Sequence, residues 1–288
     1  MGTSHGLLLM LCSLLDPGDE VILSNPTYAC YPNFVRYIEG QPVFVPVYAE
    51  GGFALDPGAV REKIGPRTKA ILVNSPSNPT GTVLPTALLR EIGQLGLYVI
   101  SDEIYHGLVY GEREHSILEF TDRAFVLNGF SKLYAMTGWR LGYIIAPQEF
   151  IRPIQKSQQN LFICASSVSQ WAGVAALTEE HPEVPQMIAC YDQRRKFMIK
   201  GLRELGFGIA VEPTGAFYVL ADARSFACDS YRLAFDILDK AKVAVAPGID
   251  FGSNAEGFLR FSYANSIENI ERAFSRLQTY LQSCKKAP

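Results

Sequence analysis

Little in this chain marks a secreted, metal-binding or nucleic-acid-binding protein. Its six cysteines, Cys12, Cys30, Cys164, Cys190, Cys228 and Cys284, are scattered with no C-x-x-C pair. That spacing offers no disulfide framework and favours a reducing cytoplasm. The four histidines, His5, His106, His115 and His181, form no H-x-x-x-H pair or His/Cys cluster, so no metal site is expected. A net charge of -3, with no run of Lys and Arg interleaved with aromatics, argues against a nucleic-acid partner. The run Leu7 to Leu15 could pass for a signal-peptide core. It has no Lys or Arg before it, and Asp16-Pro17-Gly18-Asp19-Glu20 stands where a small-residue cleavage site would be. It reads as a buried helix, and no membrane association is expected. Gly6 also stands where a myristoylation signal needs Ser or Thr. No internal repeat or low-complexity linker is present.

What is present is a chain of 288 residues, 48% hydrophobic, enough for one large core and a second smaller one. Short apolar runs rich in Val and Ile recur between helical stretches: Val21 to Leu23, Val43 to Val45, Ala70 to Val73, Tyr98 to Ile100, Ala124 to Leu127 and Gly142 to Ile145. Near-continuous apolar strands alternating with helices predict an α/β fold with a mostly parallel sheet and helices on both faces. An amphipathic helix is expected from about Pro185 to Leu205, ending at Gly206. Beyond it, strand-like Phe217 to Leu220, Val243 to Val245 and Phe258 to Tyr263 accompany helices over Tyr231 to Lys240 and from about Ser266 to Leu281. The pattern divides the chain into a large domain, 1–185, and a connecting helix with a smaller α+β domain, 186–288.

In a parallel sheet, ligands collect at the carboxyl ends of the strands, and the polar residues fall there. Asn74 follows Val73, Asp102 follows Ile100, and Lys132 comes shortly after Leu127. An amine at a strand end, with a second cation, Arg140, eight residues on, suits an imine to a phosphate-bearing aldehyde cofactor. Seen alone, Lys132 could equally be a surface lysine. Asp102 would face a ring nitrogen and keep it protonated, or else cap a helix or help hold a magnesium ion. Tyr105 and Asn78 could hydrogen-bond a ring hydroxyl. Tyr28, just after Asn25-Pro26-Thr27, could stack on the ring or simply fill the core. Thr3 and Ser4 open the helix after Gly2, where backbone N–H groups attract phosphate, and Arg140 could bind the same group in bidentate fashion. Arg260 is a cation in an apolar strand and needs an anion, either a substrate carboxylate or an internal Asp or Glu.

Taken together, Gly2-Thr-Ser-His-Gly6, Asn25-Pro-Thr-Tyr28, Asn74-Ser-Pro-Ser-Asn-Pro-Thr-Gly81, Ser101-Asp-Glu-Ile-Tyr105, Ser131-Lys-Leu-Tyr-Ala-Met-Thr-Gly-Trp-Arg140 and Leu259-Arg-Phe-Ser-Tyr263 resemble the class I/II, fold-type I pyridoxal-phosphate aminotransferases. The motifs occur in the family's order and cover essentially the whole chain. The resemblance implies pyridoxal 5'-phosphate bound as an imine to Lys132, with Asp102 on the ring nitrogen and Tyr105 and Asn78 on the ring hydroxyl. It implies Tyr28 stacked on the ring, Thr3, Ser4, Ser131 and Arg140 on the phosphate, and Arg260 on the substrate carboxylate. Catalysis would fall to Lys132, Asp102 and Tyr105, in a ping-pong exchange between an L-amino acid and a 2-oxo acid, in a homodimer.

Two departures stand out. Members often carry a phosphate-binding serine three residues before the lysine, where this chain has Gly129. The family also has a substantial segment ahead of the phosphate loop, where here only Met1 precedes Gly2, so a truncated, inactive homologue is one alternative. A C–S β-lyase on the same scaffold is another, since it shares the imine chemistry. The run Gly2-Thr3-Ser4-His5-Gly6 also fits the nucleophile elbow of α/β hydrolases. That reading lacks the late histidine and the oxyanion-hole glycine cluster.

Overall fold

The computed structural model describes residues 2–286. Six strands, β1 (Glu20–Asn25), β2 (Gln41–Pro46), β3 (Thr68–Asn74), β4 (Tyr98–Asp102), β5 (Ala124–Gly129) and β6 (Gly142–Ile145), form one sheet in the order β2-β1-β3-β4-β5-β6. All neighbours pair parallel except β6, which runs antiparallel to β5. The period-two alternation of strand side chains divides the core between the two faces. Val21, Leu23, Leu72, Ile100, Phe125 and Leu127 pack with residues of helices α1 (Thr3–Leu14), α2 (Cys30–Tyr37) and α5 (Gln148–Leu161). Ile22, Ile71, Val73, Val99 and Val126 point the other way, toward α3 (Pro57–Glu62) and α4 (Thr86–Gly93). Burial on both faces explains why the strands read as unbroken apolar runs.

After α6 (Ser167–Thr178) and the long α7 (Glu183–Glu204), a second sheet forms from β7 (Tyr218–Asp222), β8 (Ala246–Pro247) and β9 (Phe258–Ser262), in the antiparallel order β7-β9-β8. Helices α8 (Ser230–Ala241) and α9 (Ile267–Lys286) complete this part. Its core joins Val219, Ala221, Leu259 and Phe261 of the sheet to Leu202, Ile237 and Leu277 of the three helices.

One expected strand is displaced. Val243 to Val245 form no ladder, and pairing begins only at Ala246. The chain leaves α8 through Lys242 in a left-handed conformation (φ 55°). Val243 and Val245 still bury part of their surface against the C-terminal core, so their apolar alternation records packing without ladder hydrogen bonds. Among the described residues, no helix is long and apolar enough to cross a membrane.

Candidate active site

The carboxyl ends of β3 and β4 lie side by side, with Asn74 in register with Asp102. Asn74 Nδ2 donates to the Asp102 carbonyl at 2.8 Å, and Asn74 Oδ1 accepts the Asn78 N–H at 2.7 Å. The turn from Asn74 to Gly81, with cis bonds before Pro76 and Pro79, is thereby tied to the strand ends. Gly81 has φ 71°, and a Cβ there would lie 2.9 Å from the Tyr218 carbonyl. Only glycine fits. The close approach lets the Gly81 carbonyl accept the N–H groups of Thr214 and Gly215, fastening the turn to the segment that enters β7.

Asp102 is buried, yet both carboxylate oxygens are engaged. Tyr31 Oη donates to Oδ2 at 2.7 Å, and the Ile104 N–H donates to Oδ1 at 3.1 Å. Burial pushes its pKa up to about 6. The Tyr31 and Ile104 bonds and the Lys132 charge oppose that rise, and the neighbouring Glu103 adds to it. Lys132 follows β5 and places its ammonium 5.4 Å from the Tyr105 ring centre and 5.2 Å from that of Phe217. Burial lowers its pKa, and Arg260 and Arg140 push the same way against Asp102.

At the other end of the site, α1 begins just after Gly2 (φ 76°), with no side-chain cap on its first N–H groups. Such an end carries a partial positive charge and unsatisfied donors. Arg140, itself left-handed at φ 52°, donates from Nη1 to the Thr137 carbonyl at 2.8 Å. A Cβ at Gly2 would lie 2.7 Å from Arg140 Nη2. The missing side chain leaves room for the guanidinium beside the helix start.

Gly129, where the family often has serine, is explained locally. It pairs with Gly142 across β5 and β6, and a Cβ there would lie 2.8 Å from the Gly142 Cα and 2.9 Å from the Leu141 carbonyl. The close strand pairing leaves no room for a serine.

Arg260, on β9, donates from Nη1 to Asn78 Oδ1 at 2.7 Å. Its guanidinium lies 4.2 Å from the Tyr218 ring centre and 4.8 Å from that of Phe251, while Nε is buried with no hydrogen-bond partner. Among the described residues, no carboxylate lies within ion-pair distance of it. The internal Asp or Glu that the sequence left open is therefore not found there.

All the candidate residues, Thr3, Ser4, Tyr28, Asn78, Asp102, Tyr105, Ser131, Lys132, Arg140 and Arg260, line one cavity of about 400 Å³. Two more belong there that the sequence did not reveal. Tyr31 lies three residues beyond Tyr28, across the turn that enters α2, its ring edge-on to that of Tyr28 at 5.2 Å. Tyr218, read only as part of a strand, brings its hydroxyl to 2.9 Å from that of Tyr105. Neither is marked in the sequence: Tyr31 sits in a short helix of ordinary residues, and the partner of Tyr218 is 113 residues away.

Chemically, the cavity has one end lined by a helix start and a guanidinium, an amine of lowered pKa, a buried carboxylate, and a further cation held between aromatic rings. The family model described as "Aminotransferase class I and II" matches residues 1–277. The (5-formylfuran-3-yl)methyl phosphate transaminase of Methanocaldococcus jannaschii is 41% identical over 284 residues, covering 97% of this chain and 74% of that protein. The aspartate/prephenate aminotransferase of Thermus thermophilus is 40% identical over 289 residues, covering 98% and 74%. The solved structure of aspartate aminotransferase from Thermus thermophilus with maleate superposes with a TM-score of 0.93 at 40% identity, over 96% of this chain and 74% of that one.

Proposed function

Because the chain belongs to the class I and II aminotransferases, we propose that its cavity binds pyridoxal 5'-phosphate and moves an amino group between an L-amino acid and a 2-oxo acid. The cavity suits that cofactor at both ends. The uncapped start of α1 and Arg140 match a phosphate, and buried Asp102 matches a protonated ring nitrogen. When bound, the cofactor supplies an electron sink for charge developing at the substrate Cα.

The protein's own groups do the rest. Lys132 Nζ would be the group that holds the cofactor's aldehyde, and the same amine would take and return the proton at the substrate Cα. Its lowered pKa brings it nearer the range where an amine acts as a base at neutral pH. Tyr105 and Asn78 would hydrogen-bond the ring hydroxyl, Tyr28 would pack against the ring, and Thr3, Ser4 and Ser131 would join Arg140 on the phosphate. Arg260, already aimed by Asn78, receives the substrate carboxylate, which the reaction retains.

The observation that carries this reading is the placement of Lys132, Asp102, Arg140 and Arg260 around one cavity. It is tested by mixing purified protein with pyridoxal phosphate, a panel of amino acids and 2-oxoglutarate, and measuring glutamate. Aspartate and the aromatic amino acids belong on the panel because relatives carry those activities in their names. Glutamate formed only with cofactor and amino donor supports the proposal. A folded protein that forms none would instead be an inactive homologue.

The exposed apolar side chains around α6, with Ile163 78%, Trp171 74% and Leu177 64% exposed, support assembly as a homodimer. Apolar faces of this kind mark association surfaces. Sedimentation of the protein should give a dimer mass, and a monomer at micromolar concentration would reject that assembly.

A further inference from the structure

Beside the expected cofactor contacts lies a residue to which neither the sequence nor the family resemblance gave a role. Tyr218 is the first residue of β7, and its side chain meets two parts of the site at once. Its hydroxyl is 2.9 Å from that of Tyr105, in a buried pair where either can donate. The ring lies under Arg260, with the guanidinium carbon 4.2 Å from the centre. The ring planes of Tyr105 and Tyr218 are nearly perpendicular, at 83°, so the two phenols meet through their hydroxyls and not by stacking.

We propose that Tyr218 is a positioning residue that joins the two halves of the site: it donates to Tyr105, turning the Tyr105 proton toward the cofactor, and it supports Arg260 with its ring. The inference rests on the cofactor reading above. A cation over the face of a phenol draws electron density from the ring, which favours the Tyr218 hydroxyl as donor and Tyr105 as acceptor. Tyr105, accepting that bond, becomes the stronger donor toward a ring hydroxyl oxygen. An oxygen that receives a stronger hydrogen bond shares less charge with the proton of the neighbouring imine, so the bond chain from Tyr218 lowers the imine pKa. The charged and titratable groups facing this spot are Asp102 from β4, Lys132 after β5, Arg260 from β9, Arg140, and the phenols of Tyr28 and Tyr31. None of them substitutes for a donor to Tyr105, because its hydroxyl is paired with Tyr218.

Two substitutions separate the two roles. Tyr218→Phe removes the hydroxyl and keeps the ring; Tyr218→Leu removes both. The imine pKa is read by titrating the absorbance of the protein–cofactor complex without substrate. In Tyr218→Phe it should rise by about one unit, the size one hydrogen bond can produce, with KM for the amino acid within about twofold. Tyr218→Leu should show the same rise together with a KM increase of about tenfold, the loss of one cation–π contact. In a Tyr105→Phe background, Tyr218→Phe should add no further shift, since the bond is already gone.

An imine that titrates identically in wild type and Tyr218→Phe overturns the proposal while leaving the cofactor reading intact. So does a full additional shift in the Tyr105→Phe background. If the wild type gives no imine band, the cofactor reading fails first, and this proposal falls with it.

Discussion

Lys132→Ala should reduce amino transfer by about four orders of magnitude or more, because in the proposed reaction one amine both anchors the cofactor and moves the proton. No neighbour can replace it. Among the described residues lining the cavity there is no second lysine, and the other cations, Arg140 and Arg260, are guanidiniums, which stay protonated in proteins. The phosphate end of the cavity is untouched by the change, so the variant should still bind the cofactor, non-covalently. Absorbance then distinguishes free from lysine-bound aldehyde. Folding is not expected to suffer, since burial disfavours the Lys132 charge and alanine relieves that penalty. A variant that keeps the lysine-bound band, or more than a few per cent of wild-type turnover, would remove Lys132 from its role.

Asp102→Asn should separate activity from stability. Turnover is expected to fall about 10³-fold, the scale for losing one fixed charge at a reacting centre, while the cofactor-free protein gains stability at neutral pH. The folded pKa of Asp102 is about 6, above an unfolded value of about 3.9. Between those values the native state holds a proton that the unfolded chain has lost, so stability falls as pH rises through the window. Below the lower value the penalty is absent; above pH 6 it is complete. Two units correspond to roughly 3 kcal/mol. Denaturant unfolding of wild type and variant at pH 5 and pH 8 checks this, with a stability difference that opens as pH rises. Tyr31→Phe provides the converse, because the Tyr31 bond holds the Asp102 pKa down. Losing it should widen the window and deepen the wild-type deficit at pH 8. Parallel pH curves for all three proteins would mean that Asp102 ionises without strain.

Much of this could be read from residue order, and the reasons differ between fold and site. The strands were legible because a sheet buried on both faces leaves unbroken apolar runs such as Ile71-Leu72-Val73. The cavity was legible because its residues sit at the ends of those runs, as Asn74 ends β3 and Lys132 lies three residues past β5. Val243 to Val245 misled because apolar alternation reports burial, while a strand also requires a hydrogen-bonded neighbour. Tyr31 was missed inside a short helix whose other residues look ordinary. Tyr218 was missed because the feature that distinguishes it, a hydroxyl partner 113 residues earlier, is a property of the folded chain alone. Gly129 looked like a lost serine until its pairing with Gly142 showed that the position has no space to fill.

The hydrogen bond from Arg260 to Asn78 spans 182 residues. Arg260 lies 128 residues beyond Lys132, so at translation rates of about 5 to 20 residues per second, roughly 6 to 26 seconds separate their synthesis. During that interval a nascent chain carries Lys132, Asp102 and the helix proposed to hold the phosphate, without the arginine proposed to receive the substrate. A ribosome-bound chain could therefore capture the cofactor before it could select a substrate. Bound cofactor would stabilise the forming sheet by mass action, making cofactor supply during translation a determinant of how much protein folds.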